Sequence, residues 1–283
     1  MRFEMSPDMI YTESSKQIIG STAQTAAAYA EQQKKEADLA LKKQKIWENL
    51  NLYLNKEWHF HILHLLNKEK PFFDQIKIAD GVIRQNLEII ENTARQKTEE
   101  IKRRFPLLVE NAFKETKVSL DKESRHPRYS LQNGFFKIEI DEYKGTAKLS
   151  DTEGFLAEIP ADVDAIVEAI NKEFVRIFER PFDGKKFFKT LRKNYCTIIK
   201  NEKIPDGESV PIRKITTRLG KNEKGFRTDE FVIDLTRLVE AGSSELEGLR
   251  LELQQTRDTN KGMLLQGTMN RGYIGFITFK KMI

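Results

Sequence analysis

The sequence predicts an α+β chain in three parts: a long, coiled-coil-like α-helical hairpin, a small three-stranded antiparallel sheet with a covering helix, and a C-terminal set of helices closed by a strand pair. Three observations carry this. Ser14 to Lys70 is rich in Ala, Gln, Lys and Glu, with one glycine and no proline, the composition of long solvated helix. Phe136, Ile138 and Ile140 alternate with Lys137, Glu139 and Asp141, the period of a strand with one buried face. The last hundred residues run as short helical patterns followed by two alternating apolar runs.

In order, the hairpin occupies residues 1–117. Lys70-Pro71 is expected to end its first arm, because a residue before proline is pushed out of the helical region. The second arm carries Ile76, Ile83, Leu87, Ile90, Ala94, Ile101, Phe105 and Leu108 at steps of three, four and seven, which keeps them on one face. Arg84, Glu91, Arg95, Glu99 and Lys102 occupy the other face, and Pro106 should kink or restart the helix. One seam of such a hairpin does not need Trp47, Trp58, Phe60, Phe72 and Phe73 around the break. Trp58, Phe60, Phe72 and Phe73 are therefore expected at a partner-binding tip.

Residues 118–134, polar and punctuated by Pro127, read as a linker. The unit 135–182 follows, with strands FKIEID, TAKLS and GFLAEI, turns at Lys144-Gly145 and at Asp151 to Gly154, and a covering helix from Asp162 to Arg180 that Asp162 should cap. The unit 183–283 begins with a helix carrying Phe187, Leu191, Tyr195, Ile198 and Ile199 inward. VPIRKITTRLG then makes a short helix stopped by Gly220, TDEFVIDLTRLVEAG a third helix stopped by Gly242, and LRLELQQTR with GYIGFITFKK a β-hairpin around a polar loop.

This last order resembles the winged helix-turn-helix superfamily: VPIRKITTRLG is similar to its scaffold helix, TDEFVIDLTRLVEAG to its third helix, and the two alternating runs to its wing. The likeness covers about 100 residues and implies a domain that binds DNA or docks protein. Long helices joined to such a domain also resemble, in architecture, accessory subunits of chromosome-organising ATPases.

Charge bears on the choice. Residues 183–283 hold 20 Lys+Arg against 13 Asp+Glu, leaving 28 against 30 before them. A field of that sign attracts nucleic-acid phosphates independently of sequence. The candidate contacts are Lys185, Lys186, Lys189, Arg192 and Lys193; Arg213, Lys214, Arg218, Lys221, Lys224 and Arg227; and Arg257, Lys261 and Arg271 in the wing. Readers of base edges present Arg, Asn or Gln from the third helix. Here that helix shows Asp229, Glu230, Asp234 and Glu240 in positions read as outward, so backbone contact is expected from the scaffold helix, turn and wing.

Other chemistries find less support. One cysteine, Cys196, excludes an internal disulfide and reads as a core residue; no Cys/His zinc spacing occurs. No phosphate-loop or dinucleotide glycine pattern is present. Glu139, Asp141, Glu142 and Lys144 offer a metal-nuclease alternative. His59, His61 and His64 read as a packed helix end, and Arg125, His126, Arg128 and Tyr129 as a capping cluster suited at most to an anion. No apolar run spans a membrane, and the opening segment lacks the apolar core of a secretory leader, so the cytoplasm is the expected compartment.

The sequence-level expectation is a non-catalytic subunit without cofactor or metal, in DNA maintenance or phage defence. It would hold double-stranded DNA by its phosphates and a protein partner, an ATPase or nuclease subunit or a second copy, by its hairpin. The alternatives are a pure adaptor for an SMC-like ATPase or nuclease, and the metal nuclease.

Overall fold

The structure, a computed structural model, describes residues 13–267 and 271–282; the opening stretch read for a secretory leader lies outside them. The chain is mixed α+β, with a long N-terminal helix and two antiparallel sheets.

Helix α1 spans Glu13–Asn55. It ends without glycine or proline, because Glu57 takes a left-handed φ of 53° and Trp58 N–H closes on the Tyr53 carbonyl at 2.9 Å. The chain therefore reverses at Lys56 to Trp58, one helix earlier than Lys70-Pro71. Pro71 instead sits in the first turn of α3 (Lys70–Ala79), after α2 (His59–Lys68), where its missing N–H costs nothing. The Asp80 carboxylate accepts from Val82 N–H at 2.8 Å and Ile83 N–H at 3.0 Å and so starts α4 (Gly81–Lys102). The expected two-helix hairpin is thus a four-helix arrangement, in which Ile46 and Leu50 of α1 meet Ile62, Leu65 and Leu66 of α2, Phe73 of α3 and Leu87 and Ala94 of α4. From Gln17 to Lys45, α1 stands exposed.

Pro106 opens α5 (Phe105–Lys114), whose Phe105, Val109 and Phe113 leave the bundle for the core of the following sheet. That sheet has four strands, β1 (Arg128–Leu131), β2 (Phe136–Asp141), β3 (Thr146–Asp151) and β4 (Phe155–Pro160), in sequential order. The expected linker therefore carries a strand. Asp121 holds the β1–β2 connection by accepting from Ser130 Oγ and from the N–H groups of Asn133 and Gly134 at 2.7–2.8 Å. Phe136, Ile138 and Ile140 are buried as their alternation predicts, and α6 (Val163–Phe178) covers them with Ile166, Ile170 and Ile177.

Asp162 departs from expectation. It does not cap α6 by a side-chain bond; its carboxylate accepts from Phe60 N–H at 3.0 Å, His61 N–H at 2.8 Å and His61 Nδ1 at 2.8 Å, capping α2 from about 100 residues away. A second tie lies at Gly145 (φ +65°), where a Cβ would meet the Phe60 ring at 2.9 Å, so the β2–β3 turn tolerates only glycine there.

The C-terminal part runs α7 (Gly184–Glu202), β5 (Val210–Pro211), α8 (Ile212–Asn222), α9 (Thr228–Glu240), β6 (Glu245–Leu246), β7 (Leu249–Gln255), β8 (Met263–Gln266) and β9 (Arg271–Lys281). Helix α8 continues through Gly220 to Asn222, whereas Gly242 (φ 64°) does follow the end of α9. On α7 it is Phe188, with Leu191, Tyr195, Ile198 and Ile199, that is buried, Phe187 and Cys196 being half-buried beside that core. Strands β7 and β9 pair antiparallel, β5 and β8 both add to β9, and the loop expected to be merely polar supplies β8.

Candidate nucleic-acid interface

Helix α8 is amphipathic in the plainest way: Ile212, Ile215, Thr216 and Leu219 are buried, while Lys214, Thr217, Arg218 and Lys221 lie at three- and four-residue steps on the outer side. With Ile198 and Glu202 of α7 they border an open groove of about 520 Å³. Lys214 is held by the Glu202 carboxylate at 2.6 and 2.7 Å. Arg213, at the groove's edge, turns away, bonded to buried Glu153 and to the Gly262 carbonyl at 2.7 Å.

Ion pairing sorts the other expected contacts. Lys189 meets Glu247 at 2.6 Å, Lys261 meets Asp258 at 3.3 Å and Arg227 meets Asp229 at 3.1 Å. Arg192 forms a two-pronged pair with Asp206 at 2.7 and 2.8 Å over the rings of Tyr195 and Phe279. Among the described residues, Lys185, Lys186, Arg218, Lys221, Lys224 and Arg257 show no ion pair. The side chain of Arg271 lies outside the described residues.

The acidic face of α9 is where sequence reasoning goes astray. Asp229 and Asp234 are 4% and 7% exposed and Glu230 is half-buried; only Glu240 of the four is on the surface. They face Arg176 of α6 and Arg180 just beyond its end. Arg176 reaches Asp229 and Glu230 at 2.5 Å and Glu173 at 2.6 Å, Arg180 binds Asp234, and Arg237 of α9 donates to the carbonyls of Phe178 and Arg180. So α9 is sealed against α6, and its carboxylates are buried partners rather than outward repellents. The missed signal was Arg176 on the covering helix and Arg180 just past its end.

The same junction holds a carboxyl pair. Burial pushes Asp151, at the end of β3, up to about 6, and the negative Asp229 within hydrogen-bonding reach adds to the shift. Burial also acts to raise Asp229, but bonds from Arg176 and Arg227 outweigh it and hold that carboxyl below its ordinary value. Burial likewise raises Glu153 and Asp234 against the opposing pull of Arg213 and Arg180.

The remaining candidates are committed locally. Glu139 pairs with Arg128 at 2.9 Å, Asp141 accepts from Lys144 N–H at 2.9 Å, and Glu142 meets His126 Nε2 at 2.6 Å, the other ring nitrogen lying 3.1 Å from Tyr129 Oη. Among the described residues no three His, Cys, Asp or Glu side chains form a group fit to hold a metal ion. The aromatics expected at a partner face pack within the chain. Phe73 is buried beside Trp47 with Phe72 next to it, Phe60 packs on Phe105, and Trp58 stacks on Tyr53. No described helix is long and apolar enough to cross a membrane.

In comparison with known proteins, no family model, curated protein or solved structure matches this chain.

Proposed function

We propose that the chain is a non-catalytic subunit of a multi-protein assembly that holds double-stranded DNA by its phosphates, through a winged-helix unit formed by α7 to β9. The observation that carries the reading is the outer side of α8 and the wing loop, where Arg218, Lys221 and Arg257 stand without ion pairs among the described residues. The order helix, strand, helix, helix and paired strands, with β5 added to β9, supports the winged-helix assignment. The sealing of α9 supports backbone contact over base readout, since the helix that would enter a major groove is covered by α6. The exposed shaft of α1 supports a protein-binding role for the N-terminal part, because isolated helix gains no packing of its own. That shaft also favours the second reading, a protein adaptor in which the lysines are only solvated.

Duplex binding measured from low to moderate salt tests the first reading. Neutralising Arg218, Lys221 and Arg257 to Gln should weaken binding for all duplex sequences alike and reduce the salt slope by about three, one per lost phosphate contact. Absence of duplex binding at low salt refutes it and leaves the adaptor.

A further inference from the structure

The first turn of α8 carries a cation that the helix itself does not favour. Arg213 is the second residue of α8, where a positive charge opposes the helix dipole. Its guanidinium reaches two groups distant in sequence. Nη1 donates to the carboxylate of Glu153 in the β3–β4 turn, and Nη2 donates to the Gly262 carbonyl in the β7–β8 loop at 2.7 Å. One side chain thus joins α8, the four-stranded sheet and the loop.

Both anchors are firm. The Glu153 side chain is 8% exposed, and the N–H groups of Glu153 and Gly154 are held by Asp151 Oδ1 at 2.7 and 2.8 Å, so the carboxylate sits on a fixed turn. Gly262 closes a loop folded on itself. Its N–H meets the Asp258 carbonyl at 2.9 Å, Asn260 N–H meets the Asp258 carboxylate at 3.0 Å, Asp258 N–H meets Thr256 Oγ1 at 3.1 Å, and Thr256 N–H meets the Tyr273 carbonyl of β9 at 2.8 Å. A Cβ on Gly262 would meet Thr256 and Tyr273 at 2.8 and 2.9 Å, and one on Gly275 would meet Thr256 at 2.8 Å, so the loop lies against β9 with no room for a side chain at either point. Arg257 rides on this loop, exposed and without an ion pair among the described residues.

A guanidinium is a planar fork, and a carboxylate that holds one prong fixes the direction of the other. We propose that Arg213 is a positioning residue that sets the β7–β8 loop against α8, so that Arg257 meets the same duplex as Arg218 and Lys221. The inference rests on the duplex reading above and replaces the direct phosphate contact that the sequence suggests for Arg213.

Duplex binding by the full chain across a salt series, in a cycle of variants, separates position from contact. Arg213→Lys keeps the positive charge but loses the fork that spans Glu153 and Gly262. A direct phosphate contact would survive that change and leave the salt slope as it is, whereas a positioning role lowers the slope by about one, the contact of Arg257. In the Arg213→Lys background, Arg257→Gln should then change affinity by no more than about twofold, while Lys221→Gln should still take about one from the slope. A slope equal to the parent's in Arg213→Lys, or an Arg257→Gln effect of the same size in both backgrounds, overturns the proposal. Should Arg213→Lys fail to fold by circular dichroism, Glu153→Gln, which cuts the other end of the tether and leaves no buried carboxylate behind, takes its place with the same expected results and the same refutation. No duplex binding by the parent at low salt refutes the functional reading and this proposal with it; duplex binding that is the same in the parent and in Arg213→Lys refutes this proposal alone.

Discussion

Asp151→Asn should stabilise the protein above neutral pH. The Asp151 carboxylate accepts from Glu153 N–H at 2.7 Å and Gly154 N–H at 2.8 Å through Oδ1, roles an asparagine oxygen keeps. Its remaining neighbour is the Asp229 carboxyl, to which an asparagine amide would donate. With the folded value at about 6 against 3.8 for the free side chain, the proton is held more tightly in the fold. The stability contribution is fully present below about pH 4 and is lost as pH rises through 6. About two pKa units correspond to about 3 kcal/mol; the arginines around Asp229 screen part of this, so about 2–3 kcal/mol is expected. Urea unfolding of both proteins at several values from pH 4 to pH 8 checks it. The variant should gain on the parent through that window and stay ahead by about 2–3 kcal/mol at pH 8. Equal stability at pH 8, or parallel pH curves, would refute the reading that burial and the Asp229 charge hold a proton on Asp151.

Two further substitutions probe how the helical part is tied to the sheet. Asp162→Ala should cost about 3–5 kcal/mol, because it strips buried partners from Phe60 N–H, His61 N–H and the His61 ring together; faster amide exchange at Phe60 and His61 identifies the lost cap, and unchanged protection would contradict it. Gly145→Ala should cost about 2–4 kcal/mol, read by thermal unfolding, since it adds a left-handed alanine to a clash with the Phe60 ring; a loss under about 0.5 kcal/mol would mean the turn and α2 move apart freely.

What the sequence displays follows the range of the interactions. The alternation of Phe136, Ile138 and Ile140 and the inward spacing of Leu191, Tyr195 and Ile198 are local, and each maps onto a buried face. The reversal at Glu57 was hidden because a left-handed non-glycine residue leaves no compositional mark, while Pro71 offers a louder and misleading one. Strand β1 lay concealed in a polar stretch since its partners, Phe136 to Glu139, supply the pattern that it lacks. Asp162 and Asp229 look like ordinary helix-start acids, and only pairing across 101–102 and 53 residues gives them their roles. Of the fourteen basic residues expected at the nucleic-acid face, several are neutralised by carboxylates distant in sequence, Glu153 for Arg213 and Glu247 for Lys189 among them.

Arg176 of α6 and Arg180 just beyond it constrain what the C-terminal part can do. A helix free to enter a groove must offer a solvated face, and α9 gives its polar face to Arg176 and Arg180 instead. Withdrawing α9 would part Asp229 from Arg176 and Asp234 from Arg180, and breaking buried pairs of this kind costs about 3–5 kcal/mol each. Under the proposed function, a nucleic-acid contact through α8 and the β7–β8 loop avoids that cost, because Lys221 and Arg257 there are exposed and Arg218 half-buried, none with an ion pair among the described residues. On that same proposal, the packing of α9 on α6 thus favours contact with a nucleic-acid backbone through α8 and the β7–β8 loop over insertion of α9 into a groove.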